Sequence, residues 1–161
     1  MKVAVLMGSN SDLPKIQKCI DTLKSLGIET VVRVMSAHRT PEVVADFTDH
    51  AIENGFGVII AAAGGAAHLA GAVAAHTLLP VIGIPVEGGS FNGLDALLST
   101  VQMPGGIPVA TVGVGSGGAT NAALLAAEIL AASDSALREK LAADRAKRRE
   151  KVLAADAEIQ G

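Results

Sequence analysis

Short apolar runs alternate along the chain with longer stretches in which apolar residues recur every three or four positions. The short runs are rich in β-branched residues and have the length of strands, whereas the longer stretches have the periodicity of amphipathic helices. The third short run is apolar without interruption, which is typical of a strand covered on both faces of its sheet. The predicted strands cover 3–7, 31–34, 58–62, 81–84 and 109–112.

The stretches between these strands carry helix start and stop signals. The first predicted helix has Asp12 as its N-cap and stops at Gly27. The second has Thr40 as its cap, and its apolar stripe continues toward Gly55. A later segment, 121–132, consists mostly of Ala and Leu, and we expect a helix there that is buried nearly all round.

The alternation of strands and helices predicts an α/β fold. The spacings suit right-handed crossovers, so we expect a parallel sheet in a three-layer arrangement with helices on both faces. This is a Rossmann-like or flavodoxin-like architecture, and the length predicts one domain over 1–161 with its core in 1–132.

The segment 135–158 differs from the rest and predicts a C-terminal helical tail. It is rich in charged residues and has only a thin apolar stripe. Two interpretations remain open: a solvated terminal helix, or a helix that docks on a neighbouring subunit. The stripe consists of Leu137, Leu141, Val152 and Leu153.

Composition excludes several classes of protein. The chain has 161 residues, 50% of them hydrophobic, and a net charge of −3, so disorder is excluded. Only 2% of the residues are aromatic, which argues against a nucleic-acid-binding module that stacks bases. The single cysteine, Cys19, is expected on the buried face of an amphipathic helix, in the protein core. No apolar run is long enough to span a membrane or to serve as a signal peptide, so we expect a cytoplasmic protein.

Three polar loops follow predicted strands, at the sheet edge where open α/β proteins bind their ligands. The first is Gly8–Asp12. Its glycine permits a tight turn, the hydroxyls of Ser9 and Ser11 offer hydrogen bonds, and the helix that follows favours an anion such as phosphate. A capped turn without a ligand is the alternative, and Asp12 equally fits a helix start.

The second and third loops add groups suited to proton transfer and to anion binding. Arg39 can form a fork to a phosphate or carboxylate, and His38 beside it is a residue type that exchanges protons near neutral pH. In the third loop, Gly64 allows the backbone to approach a planar ligand, with His68 either at the ligand or at a helix start. The histidines do not have metal-ligand spacing. The residues alone thus indicate a small anionic ligand beside a histidine and an arginine.

Four segments, taken in order, carry a family resemblance: Gly8–Asp12, Ser36–Pro41, Ala63–Leu69 and Gln102–Ala110. Together they closely resemble the PurE family of purine biosynthesis, the 5-(carboxyamino)imidazole ribonucleotide mutases. The resemblance implies a flavodoxin-like homo-octamer that moves a carboxylate from the exocyclic nitrogen of an imidazole ribonucleotide to ring carbon four. It also implies that no metal or organic cofactor takes part, and that an ATP-dependent 5-(carboxyamino)imidazole ribonucleotide synthase supplies the substrate.

The resemblance also implies roles for individual residues. His38 would be the catalytic acid and base, and main-chain groups at Ala63 and Gly64 would hold the imidazole base and the migrating carboxylate, with His68 close by. The remaining substrate-binding residues would contact the phosphate and ribose, and they are Ser9, Ser11, Asp12, Ser36 and Arg39.

Two departures from the family pattern occur, namely Ala70 in place of a common proline and the form of the segment 86–92. A sister class carboxylates the unmodified aminoimidazole ribonucleotide directly with carbon dioxide, and the sequence 65–68, Gly-Ala-Ala-His, favours the mutase over it. A non-catalytic nucleotide-binding module would need Arg39 but not His38. A flavin carrier would need aromatic residues that this chain lacks.

Overall fold

The fold, given by a computed structural model that describes residues 1–161, contains five strands and six α-helices, with a short 3₁₀ helix at Asn10–Asp12. The strands are β1 Lys2–Met7, β2 Thr30–Val34, β3 Phe56–Gly64, β4 Val81–Val86 and β5 Ala110–Thr111. The helices are α1 Leu13–Ser25, α2 Pro41–Asp49, α3 Leu69–Ala74, α4 Leu94–Val101, α5 Gly115–Ala131 and α6 Ser135–Gln160.

The five strands form one parallel sheet in the order β2-β1-β3-β4-β5. This is the flavodoxin-like strand order, and it places the reversal of the chain's winding between β1 and β3. In the register of the sheet, Leu6 of β1 lies beside Arg33 on one side and Ala61 on the other. The predicted parallel α/β architecture is confirmed.

Alternate residues of the central strands point into two separate cores, as the period of a strand requires. In β3, Val58 and Ile60 pack with α1 and α5 on one face, whereas Ile59 and Ala61 pack on the other face with residues of α2 and α3. Cys19 is fully buried in the first core, as expected. The sheet is therefore the middle of three layers, with its carboxyl edge free to carry loops.

Several predicted boundaries were wrong, and strands β3 and β4 each extend two residues beyond their predicted carboxyl ends. Helix α2 ends at Asp49, and a series of turns over 50–55 follows, although Ala51 is still buried. Strand β5 has only two residues. Helix α5 begins six residues before the predicted 121. The prediction missed its first turns because they contain glycines, which have a low helix propensity. Gly118 lies there against the Gly113 carbonyl, where a Cβ atom would collide.

Helix α6 confirms the predicted C-terminal helical tail and extends it to Gln160. Its start is capped by the Asp134 side chain, which accepts a hydrogen bond of 3.0 Å from the Leu137 N–H. Leu137 is buried, and Leu141 packs against the same core. Farther along, Val152 is 70% exposed, so only the first turns of α6 are packed against this chain. None of the helices combines the length and the apolar character needed to cross a membrane.

Candidate functional site

The three polar loops converge at the carboxyl ends of β1, β2 and β3. They enclose a cleft of about 400 Å³ that is open on one side to solvent. Its position agrees with the expectation that an open α/β sheet binds ligands where the winding of the chain reverses. The cleft is lined by Gly8, Ser9, Asp12, Ser36, Ala37, His38, Arg39, Ala63, Gly64, Ala66, His68 and Leu69.

The first loop is held by hydrogen bonds among its own hydroxyl groups. The Ser9 Oγ accepts from the Ser11 N–H at 3.3 Å and from the Ser11 hydroxyl at 2.9 Å. Asp12 occupies the N-cap position of α1, as predicted, but its side chain makes no capping hydrogen bond, and the residue also ends the short 3₁₀ helix. Its carboxylate is left available to the cleft.

Electrostatic forces on Asp12 oppose one another. Burial raises the pKa of this carboxyl above its ordinary value, and the charge of Lys15, a hydrogen bond from the Ser9 backbone and the charge of Arg39 lower it in part. The net effect is a raised pKa. A desolvated carboxylate of this kind gains when a ligand hydroxyl donates a hydrogen bond to it.

The second loop is folded around the Ser36 side chain. The Ser36 Oγ accepts from the N–H groups of His38 and Arg39, at 3.3 and 3.2 Å. The Thr40 Oγ1 accepts from the Ser36 N–H at 2.9 Å, so Thr40 closes this turn and makes no side-chain cap to α2. The sequence prediction had the helix start correct and the role of the threonine wrong.

Arg39 links the second loop to the first. Its Nη2 donates to the Gly8 carbonyl at 2.8 Å, across the carboxyl ends of the two neighbouring strands. The guanidinium keeps its other N–H groups for an anion in the cleft, because it has five donors in a fixed plane.

The two histidines of the cleft are in direct contact. The His38 Nε2 lies 2.8 Å from the His68 Nδ1, and the rings meet edge to face with centroids 4.9 Å apart. One of these nitrogens must donate a hydrogen and the other must accept it, so the two tautomers are coupled. The sequence placed both residues at the site but contained no signal for this bond.

The third loop leaves β3 through two glycines. Gly65 has a φ of +62°, which an L side chain rarely adopts, so glycine is required for this turn. At Gly64 a Cβ atom would lie 3.3 Å from the Val86 carbonyl oxygen. The turn then brings His68 back over the cleft, immediately before α3.

Eight of the nine sequence-predicted site residues line the cleft, and Ser11 reaches it only through its hydrogen bonds to Ser9. Four further lining residues were not predicted as site residues, although all of them lie within the first three motifs: Gly8, Ala37, Ala66 and Leu69. The fourth motif, 102–110, lies elsewhere. Its residues Gly106 and Ile107 border a separate cavity of about 740 Å³ at the opposite edge of the sheet.

The fold and the cleft together define a flavodoxin-like α/β protein with a polar cleft at the carboxyl edge of its sheet. Comparison with known families makes this specific. A family model described as AIR carboxylase matches residues 2–151. The chain belongs to the AIR carboxylase family, and the resemblance to PurE proteins is thereby confirmed.

Relatives of the chain share about half of its residues over nearly its whole length. Proteins named N5-carboxyaminoimidazole ribonucleotide mutase are 49% identical in Vibrio parahaemolyticus, covering 96% of each chain, and 50% identical in Bacillus subtilis, covering 94% and 93%. The Mycobacterium tuberculosis protein of that name is 52% identical over 99% of this chain and 90% of its own. The crystal structure of Treponema denticola PurE superposes with a TM-score of 0.85 at 31% identity, covering 97% and 96% of the two chains.

Proposed function

We propose that this chain is an N5-carboxyaminoimidazole ribonucleotide mutase of purine biosynthesis. The reaction moves a carboxylate from the exocyclic nitrogen of the substrate to carbon four of its imidazole ring. The observation that carries the proposal is the contact between His38 and His68 beside the glycine turn of the cleft. The near-complete match to relatives of that name supports it.

The phosphate and ribose of the substrate would bind at the ends of β1 and β2. The hydroxyls of the first two loops and the guanidinium of Arg39 supply neutral and charged donors for a phosphate. The desolvated carboxylate of Asp12 would accept from a ribose hydroxyl. The residues in these roles are Ser9, Ser11, Asp12, Ser36 and Arg39.

The imidazole base and its carboxylate would lie against main-chain groups at the end of β3. Ala63 and Gly64 line the cleft there, and Gly64 has no side chain to keep a planar ligand away. Small lining residues also suit the reaction, because carbon dioxide released in the first step must stay close to the ring carbon that captures it.

The proton chemistry can be carried by the imidazole pair. Loss of carbon dioxide from the carbamate leaves an electron pair on nitrogen, which takes a proton from His38. Carbon four then attacks the carbon dioxide, and its own proton returns to His38, so the cycle is balanced. Each such proton step typically contributes about 10²–10⁴-fold to the rate.

The contact with His68 needs a hydrogen on only one of its two nitrogens. If both rings were cationic, both nitrogens of the 2.8 Å contact would carry hydrogens and the hydrogen bond would be lost. One mobile proton is what the proposed cycle requires. His68 would therefore hold His38 in a defined orientation and tautomer while the substrate is bound.

We also propose that the protein works as a homo-oligomer, with the octamer as the expected form. Phe91, Leu94, Leu98 and Val101 follow one another at helical spacing on and before α4, and each is about half exposed or more. An apolar face of this kind is typical of a protein interface. Light scattering tests the octamer: a mass near eight times that of the 16.2 kDa chain supports it, and a monomer mass contradicts it.

We further place the enzyme in the cytoplasm as one domain over 1–161, and downstream of an ATP-dependent 5-(carboxyamino)imidazole ribonucleotide synthase. The resemblance implies that this synthase forms the carbamate substrate, so we expect the two enzymes in the same compartment. The packing of Leu137 and Leu141 onto the sheet's first core supports a single folding unit.

The direct test supplies the purified protein with N5-carboxyaminoimidazole ribonucleotide and follows formation of the 4-carboxy-5-aminoimidazole product. Turnover without an added cofactor is expected. Tight binding of the ribonucleotide with no turnover, insensitive to replacement of His38, would instead support a non-catalytic nucleotide-binding module.

A further inference from the structure

The backbone amide of Ala67 has its hydrogen-bond partner outside the site loops. Ala67 is only 2% exposed, and its N–H donates to the Oγ of Ser99 on α4 at 3.0 Å. No backbone acceptor serves this amide. A buried N–H needs a partner, so the Ser99 hydroxyl determines where this part of the third loop lies.

The hydroxyl hydrogen of Ser99 is used within its own helix. The Ser99 Oγ lies 2.7 Å from the Asp95 carbonyl oxygen one turn earlier, and 3.4 Å from the carbonyl oxygen of Gly65. The shorter contact takes the hydrogen, which leaves the oxygen lone pairs free to accept from Ala67. Helix α4 thereby holds the third loop, with its glycine turn, in a fixed position beside the cleft.

The residue after Ala67 is His68, which contacts His38 at 2.8 Å. A shift of the turn would therefore move the imidazole pair relative to the substrate. Ser99 itself does not line the cleft. We propose that Ser99 is a positioning residue for the carboxylate transfer, acting through Ala67 and His68, and this inference rests on the proposed mutase function.

The test compares two variants that each lose one hydroxyl group from α4. Ser99→Ala removes the acceptor for the Ala67 amide. Thr100→Val is the matched control, because the Thr100 hydroxyl donates at 2.7 Å only to the Ala96 carbonyl of its own helix. Three quantities are measured for each: hydrogen exchange at Ala67, kcat with N5-carboxyaminoimidazole ribonucleotide, and the affinity for ribose 5-phosphate.

For Ser99→Ala we expect faster hydrogen exchange at the Ala67 amide. We also expect kcat to fall about 10- to 100-fold, because a small misplacement of a reacting group has an effect of that size. Ribose 5-phosphate affinity stays unchanged, because Ser9, Asp12 and Arg39 lie on other loops. Thr100→Val keeps the wild-type kcat and the wild-type exchange at Ala67.

Wild-type kcat in Ser99→Ala overturns the inference, and so does an equal loss of kcat in both variants. A loss of ribose 5-phosphate affinity in Ser99→Ala also overturns it, because the effect would then be a general disturbance of the cleft. If the wild-type protein itself turns over no substrate, the proposed function fails, while the exchange rate at Ala67 still decides whether Ser99 holds the turn.

Discussion

The Nε2 of His38 lies 2.8 Å from the Nδ1 of His68, so two loops that follow different strands meet through their imidazole rings. Both side chains are exposed to solvent along the open side of the cleft. Imidazole is a group that can take up a proton and return it, and the hydrogen bond between the rings keeps their orientation. The proposed proton transfer depends on this pair more than on any other contact in the cleft.

Replacement of His38 by Asn is expected to remove turnover and leave ligand binding largely intact. Asn preserves hydrogen-bonding capacity but cannot carry a proton, so kcat should fall by at least about 100-fold, the lower range for a lost acid–base group. Steady-state kinetics and calorimetric titration with ribose 5-phosphate check the two parts.

His50→Asn is the control for that variant. His50 lies beyond the end of α2, where its Nδ1 is 2.8 Å from the Asp46 carbonyl oxygen, and it does not line the cleft. It should keep normal kcat. Near-normal turnover in His38→Asn would remove His38 from the catalytic role.

Replacement of Arg39 by Lys is expected to weaken substrate binding although the charge is retained. A lysine ammonium lacks the planar, forked arrangement of donors in arginine. It therefore cannot donate to the Gly8 carbonyl and bind a phosphate at the same time with that geometry. We expect KM and the dissociation constant for ribose 5-phosphate to rise about 10- to 100-fold, the effect of losing a hydrogen bond to a charged group. Unchanged affinity would place the phosphate elsewhere.

The sequence was sufficient to predict the layers and the approximate location of the site. Strands separated by helices imply a parallel sheet, and in such a sheet the loops after β1, β2 and β3 must meet at one edge. The ends of the helices were harder to predict, because tertiary packing decides where a helix begins. The glycines at 117 and 118 disfavour a helix in the sequence, although α5 already includes them. Gly118 is needed there because the Gly113 carbonyl lies too close for a side chain.

Hydrogen bonds between groups far apart in the sequence could not be predicted. The bonds from His38 to His68 and from Ala67 to Ser99 join residues about 30 positions apart, and each depends on the exact height of a loop over the sheet. Short polar residues such as Ser99 are common in helices for reasons of local hydrogen bonding, so the sequence gives them no distinguishing signal.

The raised pKa of Asp12 predicts that the free energy of unfolding depends on pH, and it also determines the direction of that dependence. The folded chain holds the Asp12 proton more tightly than the unfolded chain, so the carboxyl contributes stability below its ordinary value of 3.8. That contribution is lost as the pH rises through the raised folded value. Above that raised value the partly buried carboxylate therefore destabilises the free protein.

Asp12→Asn should accordingly raise Tm at pH 7, and the difference from wild type should shrink as the pH falls toward 3.8. Calorimetry across this range measures it, and Asp156→Asn, which removes an exposed carboxylate, is the control. A lower Tm for Asp12→Asn at pH 7 would show that the carboxylate stabilises the fold instead.

Gly83 in β4 tests the packing of the central sheet. A Cβ atom there would meet side chains of Thr100, Val109 and Ala70, so Gly83→Ala overpacks the second core. We expect the free energy of unfolding to fall by about 1–3 kcal/mol in urea denaturation. Gly105→Ala is the control, since nothing lies within 4 Å of its added methyl group. Equal stability of the two variants would contradict this packing.

The most direct test of the central claim supplies the wild-type enzyme with each of two ribonucleotides in turn, in the presence of labelled bicarbonate. One is N5-carboxyaminoimidazole ribonucleotide, and the other is the uncarboxylated aminoimidazole ribonucleotide. Rapid formation of the 4-carboxy product from the first, with negligible formation from the second, is the predicted result. Efficient incorporation of label from bicarbonate into the second ribonucleotide would identify a direct carboxylase and contradict the mutase account.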